Sequence, residues 1–329
     1  METKVKDKDS LLRRLMEAGG EPVSGQMLAD EAGVSRTAVW KWVRELEEEG
    51  YTVRSVRKKG YVLEASPDLL TPALIRKYLK DDPFVSNIIH FESVGSTMPI
   101  AHREAHDGAT DGTVIVAEEQ TEGRGRLARP WSSTAGKGIW MSVILKPDIP
   151  PHRAPQFTLI AAVSICRAIR ETAGVEARIK WPNDLLIGGR KVTGILTELQ
   201  ADPDRVQAII IGIGINVNQE PEDFPDELAD IATSVRIQSG QRVDRAALAA
   251  AVLRNIGFYS RIYLEEGFAP IKMLWEENSD TIGRKVNAVM MRETVTGTAV
   301  GITEEGVLEI RTEDGSIRGI YSADIEPAE

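Results

Sequence analysis

Residues 120–131 read QTEGRGRLARPW, a segment with two glycines and three arginines that is too irregular for a helix or a strand. It follows TVIVAEE (113–119), an apolar, β-branched run of strand length. Glycine permits tight turns and close backbone approach, and the arginine guanidinium stays charged at physiological pH. The segment therefore predicts a loop at a strand end that brings fixed positive charge to a ligand.

Three further stretches also combine strand ends with small or polar residues. They are FESVGSTM (91–98), IKWPNDLLIGGRKVTGILTE (179–198) and IIIGIGINVN (209–218). Common nucleotide motifs do not fit them, because Val217 stands where a dinucleotide fingerprint has its third glycine. AGKGI (135–139) lacks the first glycine and the hydroxyl residue of a P-loop.

Length and composition indicate a globular protein of two or three domains. The chain has 329 residues, of which 42% are hydrophobic and 27% charged. It has no apolar run of membrane-spanning length, and the charged start METKVKDKDS is unlike a secretory signal, so we expect a cytoplasmic protein. The single cysteine, Cys166, excludes an intramolecular disulfide and is expected to be buried and inert. His102 and His106 share a spacing of four residues, for which a solvated helix face is a better interpretation than a zinc site.

The first 66 residues have the pattern of three short helices followed by a hairpin. The helical segments are LLRRLMEA, GQMLADEA and VWKWVRELEEE, and YTVRSV and YVLEA alternate like strands around RKKG. Ala29, Gly33 and Val39 have the spacing of the crossing, turn and core residues of a helix-turn-helix. We therefore expect residues 1–66 to form a winged helix-turn-helix domain that ends at the proline-containing SPDLLTP (66–72).

The charge of this unit indicates DNA binding. Residues 34–60 contain seven Lys/Arg against four Asp/Glu, although the whole chain carries a net charge of −10. The candidate DNA-binding residues are Ser35, Arg36, Thr37, Lys41, Arg44, Arg57, Lys58 and Lys59. The alternative is a protein-interaction module with a solvated charged face. Trp40 and Trp42 are expected to be packing residues rather than to contact bases.

The four stretches, in this order and spacing, closely resemble the biotin protein ligases. GRGR followed by Trp131 and KWPND (180–184) carry the resemblance as a pair, and either motif alone would be weak. With the helix-turn-helix in front, the whole chain resembles the bifunctional, Bacillus-like members that are also biotin operon repressors. The resemblance implies an α+β multidomain protein with a central mixed α/β ligase domain of the biotin/lipoate ligase type at 67–278 and a C-terminal SH3-like β-barrel at 279–329. The short strands and EEG and EDG turns after about residue 280 agree with that last domain.

The resemblance also implies the activity and its partners. Such an enzyme, a biotin–[acetyl-CoA-carboxylase] ligase, uses ATP and Mg²⁺ to convert biotin to biotinyl-5′-AMP. It then transfers biotin to a lysine of biotin carboxyl carrier protein from acetyl-CoA carboxylase and other biotin-dependent carboxylases. Biotinyl-5′-AMP is also the co-repressor, which promotes a homodimer that binds operator DNA of biotin biosynthesis or uptake genes. Two other functions stay open: a biotin sensor with a degenerate ligase domain, and a related ligase or transferase for lipoate or another acyl acid.

The resemblance assigns roles to individual residues. It implies catalysis by Lys180, Arg124 and Arg126. It implies biotin binding by Ser96, Thr97, Met98, Gln120, Arg124, Gly125, Arg126, Lys180 and Gly194, and nucleotide binding by Arg126, Trp131, Lys180 and Asn216. Asn216 is also the candidate Mg²⁺ ligand.

Some positions are less determined or depart from the family pattern. Lys191 and Gly194 fit the family's K-x-x-G-I-L motif beside the valeryl chain of biotin. Asp184 is open between orienting Lys180, deprotonating the acceptor lysine and stabilising the turn. Met98 stands where the family often has Asn or Gln, and Glu122 replaces the usual Ala and is expected to point outward. Leu127 and Ala128 are uncharged where some members are more basic.

Overall fold

The computed structural model describes residues 7–80 and 82–328, and packing divides the chain into two compact units, Met1–Lys80 and Asp81–Glu329. The first unit contains α1 (Lys8–Glu17), α2 (Gly25–Ala32), α3 (Arg36–Glu48), β1 (Thr52–Val56), β2 (Gly60–Ala65) and α4 (Pro72–Leu79). It extends past the boundary expected at residue 66, because α4 packs against α1 and buries Leu74 and Ile75. The SPDLLTP segment thus connects β2 to α4 inside this unit.

The helix-turn-helix has the geometry that its sequence predicts. Helix α2 ends at Gly33, whose φ of +67° lies in the left-handed region that favours glycine. Ala29 and Val39 are buried, with exposures of 1% and 0%. Ser35 caps α3, since its hydroxyl oxygen accepts a hydrogen bond from the Ala38 amide at 3.2 Å.

The outer side of α3 is exposed and basic. Its exposed residues include Arg36, Thr37, Trp40, Lys41 and Arg44, with the exposed Glu45 and Glu48 towards its C-terminal end, and Arg57, Lys58 and Lys59 are exposed in the hairpin. The expectation that Trp40 is a packing residue is wrong: it is 49% exposed, and the Arg44 guanidinium lies 5.4 Å from its ring centroid. Because the two residues are four apart, they share one face of the helix, and both side chains are exposed to solvent.

The second unit is built on a seven-stranded mixed sheet. Its strands are β3 (Asn87–Val94), β4 (Thr113–Gln120), β5 (Gly138–Leu145), β6 (Arg178–Lys180), β7 (Asp184–Ile187), β8 (Arg190–Ala201) and β9 (Val206–Asn216). Their order is β3-β4-β5-β9-β8-β7-β6, in which only the β3–β4 pair is parallel. The expected mixed α/β ligase domain is confirmed.

Five helices accompany this sheet: α5 (Thr97–His106), α6 (Gln156–Ala173), α7 (Val235–Ser239), α8 (Arg245–Glu266) and α9 (Ala269–Glu277). Helix α6 packs against α8 and carries the buried Cys166. His102, on α5, contacts Glu198 through its Nε2 at 2.5 Å, and the residues that the structure describes contain no group of three His, Cys, Asp or Glu side chains arranged for a metal ion. Within the same residues, no helix has the length and apolarity needed to cross a membrane.

The C-terminal part is a five-stranded antiparallel sheet of β10 (Lys285–Val289), β11 (Thr294–Ile302), β12 (Leu308–Arg311), β13 (Ile317–Ile320) and β14 (Asp324–Pro327). The order β13-β12-β11-β10-β14 leaves β13 and β14 as edges, so the β-rich domain is present but its sheet is not closed into a barrel. Within the second unit it contacts α6, α9 and the turn after β6. The Gln156 amide donates to the Glu304 carbonyl at 2.6 Å, and the Trp181 indole donates to the Gly306 carbonyl at 3.4 Å.

Cys166 should be chemically silent in the folded protein. Burial raises the pKa of its thiol to about 12, so almost no reactive thiolate forms at neutral pH. We expect iodoacetamide at pH 8 to leave Cys166 unmodified in the native chain and to alkylate it fully in guanidinium chloride, as measured by intact mass. Complete alkylation of the native chain at the rate of a free thiol would contradict this packing.

Candidate active site

A cavity of about 320 Å³ lies between α5, the 121–137 loop, strands β8 and β9, and the segment that follows β9. The expected site residues that line it are Ser96, Thr97, Met98, Gln120, Arg124, Gly125, Arg126, Trp131, Asp184, Lys191, Gly194 and Asn216. Lys180 is the exception, because it does not line the cavity. The structure thus brings twelve of the expected residues together around one cavity, while Lys180 is not part of its lining.

One face of β9 forms the floor of the cavity, and two residues on this face, Gly212 and Gly214, have no side chain. A Cβ atom on Gly212 would lie 2.7 Å from the Met98 sulfur, and one on Gly214 would lie 2.5 Å from the Trp131 indole nitrogen. Residues 212, 214 and 216 share this face, because alternate residues of a strand point the same way, about 7 Å apart. Met98, Trp131 and Asn216 therefore follow one another along a single groove.

Trp131 lies over a pair of facing glycines. Gly194 on β8 pairs with Gly214 on β9, and a Cβ on Gly194 would approach the Trp131 ring to 2.9 Å. The Lys191 ammonium lies 5.3 Å from the indole centroid and 2.7 Å from Asp184 Oδ1. The indole is thus held between a glycine floor and a cation, which leaves narrow space for an extended ligand.

A β-bulge brings Lys191 to this groove. In a regular strand, residues 191 and 194 would point to opposite faces. In β8, however, Thr193 pairs with Leu185 while Lys191 pairs with Leu186, so Val192 is an extra residue. Lys191 and Gly194 consequently both line the cavity.

Lys180, which the sequence predicts at the reaction centre, is not among the residues that line the cavity. Lys180 ends β6 and pairs through its backbone with Asp184. The side chain that pairs with the Asp184 carboxylate and enters the cavity belongs to Lys191 instead. The K-x-x-G motif pointed to Lys191 in the sequence. The side chain reaches the cavity only because of the β-bulge, which the residue pattern does not reveal.

The hydroxyl-rich end of the cavity is held by Gln120. Its side-chain oxygen accepts hydrogen bonds from the Thr97 amide at 2.9 Å and the Thr97 hydroxyl at 3.2 Å, and its amide donates to Ser133 Oγ at 3.0 Å. Ser96 caps α5 and stands at the cavity wall. Most of the hydrogen-bonding capacity of Gln120 is thus committed to fixing α5 and the loop.

The 121–137 loop is an ordered turn in which the two glycines have different tasks. Gly123 is required by the loop itself, since a Cβ there would lie 2.6 Å from the Trp131 carbonyl oxygen. Gly125 has open space around it and lines the cavity. Leu127 and Ala128 have φ of 55° and 56°, which costs residues other than glycine about 1–2 kcal/mol each.

Contacts to other parts of the unit stabilise this strained turn. Arg126 donates to Asn183 Oδ1 at 3.1 Å and to Ser322 Oγ at 2.9 Å, and Arg129 contacts the Asp324 carboxylate at 2.5 Å. The C-terminal domain therefore positions the arginines of the loop, a contribution that no local sequence pattern indicated.

Arg124 and Arg126, unlike Arg129, keep most of their positive charge available for a ligand. Arg124 is 64% exposed and 3.9 Å from the Glu122 carboxylate, which is itself 70% exposed, so Glu122 points outward as expected. Arg126 is held by neutral hydrogen-bond acceptors, without a carboxylate within ion-pair distance in the described part of the chain. Such an arginine can bind an anionic ligand without first breaking an ion pair.

The far end of the groove is formed by residues after β9 that the sequence did not single out. Gln219, Phe224, Leu228, Ile231 and Ala232 line it. Lys137 pairs with Asp223 at 2.8 Å. Burial raises the pKa of Asp223, but the Glu220 amide and Lys137 outweigh that effect and hold it below its usual value. The only available signal was the position of this polar segment directly after Asn216.

Asn216 is a poor candidate for a metal ligand. Its amide donates to the Thr233 carbonyl at 3.1 Å, and its oxygen accepts from the Gln219 amide at 3.2 Å. The nearby carboxylates of Asp184 and Asp223 are paired with lysines. The residues around the cavity therefore do not form a dedicated metal cage.

Comparison with known proteins agrees with this architecture. Residues 91–216 match the model of the biotin/lipoate A/B protein ligase family, residues 8–62 an HTH domain, and residues 281–326 a biotin protein ligase C-terminal domain. The bifunctional ligase/repressor BirA of Bacillus subtilis is 49% identical over 316 residues, which cover 96% of this chain and 97% of the relative. The chain belongs to the biotin/lipoate A/B protein ligase family.

More distant family members share the same arrangement. The bifunctional ligase/repressor BirA of Escherichia coli is 29% identical over 92% of this chain and 91% of its own length. The structure of the Aquifex aeolicus biotin protein ligase in complex with biotin and ATP superposes with a TM-score of 0.63 at 32% identity, and it covers 73% of this chain and 98% of the Aquifex chain.

The glycine floor of this family member can be tested by a double-mutant cycle. Gly214→Ala should lower the thermal midpoint by several degrees, because the added methyl overlaps the Trp131 indole and overpacking costs about 1–3 kcal/mol. In a Trp131→Ala background the same change should cost much less. Gly319→Ala, whose Cβ would make an ordinary 3.4 Å contact with Val307, is the matched control. An equal cost of Gly214→Ala in both backgrounds would contradict the geometry.

Proposed function

We propose that this chain is an ATP-dependent biotin protein ligase that also represses transcription. The observation that carries the ligase half is the placement of Lys191, Arg124 and Arg126 around one groove beside Trp131 and its glycine floor. The groove belongs to a chain that shares 49% identity with a ligase/repressor along 96% of its length.

The first reaction joins two anions. A carboxylate oxygen of biotin attacks the α-phosphorus of ATP, the bond from that phosphorus to the bridging oxygen breaks, and pyrophosphate leaves with the electron pair. No protein nucleophile is needed, so the protein contributes positioning and positive charge. Mg²⁺ enters the site bound to the phosphates of ATP, as it commonly does in enzymes that use nucleoside triphosphates.

Lys191 takes the role that the sequence assigned to Lys180. Its ammonium lies in the middle of the groove, between the Met98 end and the Asn216 end. We place the biotin ring at the Met98 end with Ser96, Thr97 and Gln120, and the adenosine at the Asn216 end. The carboxylate and α-phosphate then meet at Lys191, whose ammonium lies 2.7 Å from the Asp184 carboxylate.

The loop completes the site. Arg124 and Arg126 neutralise charge that develops on the phosphates, and Gly125 lets the backbone approach the adenylate. Trp131 covers the groove, which shields the reactive mixed anhydride from water. The contacts to Asn183, Ser322 and Asp324 keep these groups in place.

In the second reaction the amine of an acceptor lysine attacks the acyl carbon of biotinyl-5′-AMP. The carbon–oxygen bond to the phosphate breaks, AMP leaves, and the amine loses a proton. The acceptor is biotin carboxyl carrier protein of acetyl-CoA carboxylase or of another biotin-dependent carboxylase. Asp184 is committed to Lys191, so its main task is to orient that lysine rather than to deprotonate the acceptor.

The repressor half rests on the exposed basic face of α3 and the basic hairpin. We propose that Ser35, Arg36, Thr37, Lys41 and Arg44 face the major groove of operator DNA, while Arg57, Lys58 and Lys59 contact phosphates. Biotinyl-5′-AMP promotes a homodimer, because surface loops ordered by the ligand lose less entropy on association. The dimer then presents two recognition helices to two half-sites, and the protein acts in the cytoplasm.

Two single substitutions separate the two lysines. Lys191→Ala should slow formation of biotinyl-5′-AMP by about 100- to 1,000-fold, the usual effect of removing one charge-stabilising group. Lys180→Ala, the matched control, should change it less than about fivefold, since Lys180 lies outside the cavity. The measurement is single-turnover pyrophosphate release with Mg²⁺-ATP and biotin. The reverse order of effects would restore Lys180 as the catalytic lysine.

Substitutions in the first unit distinguish base contacts from phosphate contacts. Arg36→Ala should weaken binding to a biotin-gene promoter by about tenfold or more and leave non-specific DNA binding nearly unchanged. Lys59→Ala should weaken promoter binding and non-specific DNA binding equally. It should also reduce the slope of log K against log salt concentration by about one unit. Fluorescence anisotropy with biotin and Mg²⁺-ATP gives both values, with the exposed Lys77→Ala as control. Promoter affinity that is insensitive to the adenylate or to Arg36→Ala would contradict the repressor proposal.

A further inference from the structure

Gln219 holds an unpaired, buried hydrogen-bond acceptor in the wall of the groove. Its side chain is buried, with 4% exposure, and lines the cavity next to Asn216. Its amide nitrogen donates to Asn216 Oδ1 at 3.2 Å, whereas its side-chain oxygen has no hydrogen-bond partner within residues 7–80 and 82–328. Buried polar atoms are normally paired, so an unpaired one in a ligand cavity indicates a missing donor.

A chain of hydrogen bonds determines which atom of Gln219 is left over. The Thr233 carbonyl can only accept, so the Asn216 amide must face it, at 3.1 Å. The Asn216 oxygen therefore faces Gln219 and requires a donor, which only the Gln219 amide nitrogen can supply. Rotation of the Gln219 amide by 180° would place two oxygens together. The free atom is consequently the oxygen, whatever ligand arrives.

The backbone around Gln219 is fixed as well. The Ser234 hydroxyl donates to the Gln219 carbonyl at 2.7 Å, and the Arg236 amide donates to the Val217 carbonyl at 2.8 Å. The segment that carries the acceptor cannot easily withdraw it. Phe224, Leu228 and Ile231 from the same segment supply apolar surface to the cavity, which suits a flat ring with a polar edge.

We propose that Gln219 Oε1 accepts a hydrogen bond from the exocyclic amine of adenine and thereby selects ATP over purine nucleotides without that amine. This assignment rests on the proposed function, because it places the base at the Asn216 end of the groove. Guanine and hypoxanthine present a carbonyl oxygen at the same ring position, which would face the Gln219 oxygen with no proton between them. A purine without a substituent there leaves the acceptor unpaired.

The experiment compares nucleoside triphosphates on the full-length chain. Adenylate formation from biotin and Mg²⁺ is measured as kcat/KM with ATP, inosine triphosphate and purine riboside triphosphate. The wild-type chain should prefer ATP over purine riboside triphosphate by at least about tenfold, because a buried acceptor loses its donor in the analogue. Gln219→Met, which keeps the side-chain length without the acceptor, should reduce that preference to near one by slowing the ATP reaction alone.

The control is Gln238→Met. Gln238 donates to Thr233 Oγ1 at 3.0 Å but does not line the cavity, so its replacement should leave the preference unchanged. If Gln219 has a merely structural role, Gln219→Met should lower kcat/KM for all three triphosphates by the same factor. That result, or a wild-type preference near one, would overturn the assignment, and the wild-type ratio decides alone if Gln219→Met does not fold.

The same experiment separates this inference from the proposed function. If the chain forms the adenylate with ATP but Gln219→Met leaves the nucleotide preference unchanged, the ligase function stands and Gln219 does not select the nucleotide. Failure of the wild-type chain to form an adenylate with any triphosphate overturns the ligase function, and the assignment of Gln219 falls with it.

Discussion

The active site depends on the absence of side chains along one face of β8 and β9. Gly194, Gly212 and Gly214 leave a groove that Met98 and Trp131 partly fill, and any larger residue at these positions would overlap them. Because strand residues two apart share a face, the strands also set the order of the groups along the groove. A linear ligand with a ring at each end and a reactive centre between them suits such a site.

Charge is arranged on this frame in two ways. Lys191 is compensated by Asp184 and is thus fixed in position, whereas Arg126 is held only by neutral acceptors and keeps its charge for the ligand. The strained Leu127–Ala128 turn and the contacts to Ser322 and Asp324 show that the loop is held from the C-terminal domain. Catalytic positioning therefore extends beyond the sheet that forms the cavity.

Much of this organisation could be predicted from the sequence, because it depends on local patterns. Period-two and helical patterns gave the strands and helices, Gly33 marked the turn of the helix-turn-helix, and GRGR with KWPND located the cavity. The remaining features depend on tertiary packing. Only the bulge at Val192 explains why Lys191 reaches the same groove as Gly194, and only the packing of α4 on α1 extends the first unit to Lys80. Gln219 becomes meaningful only when its bond to Asn216 is known.

The central claim is that the groove holds one extended acyl adenylate made from biotin. The most direct measurement is native mass spectrometry of the full-length chain after incubation with Mg²⁺-ATP and either biotin or lipoate. The account predicts that a biotinyl-5′-AMP adduct is retained and that no lipoyl adenylate forms. Retention of unmodified biotin alone would make the chain a sensor rather than a ligase, and a lipoyl adenylate in place of the biotinyl one would contradict the assignment of the groove.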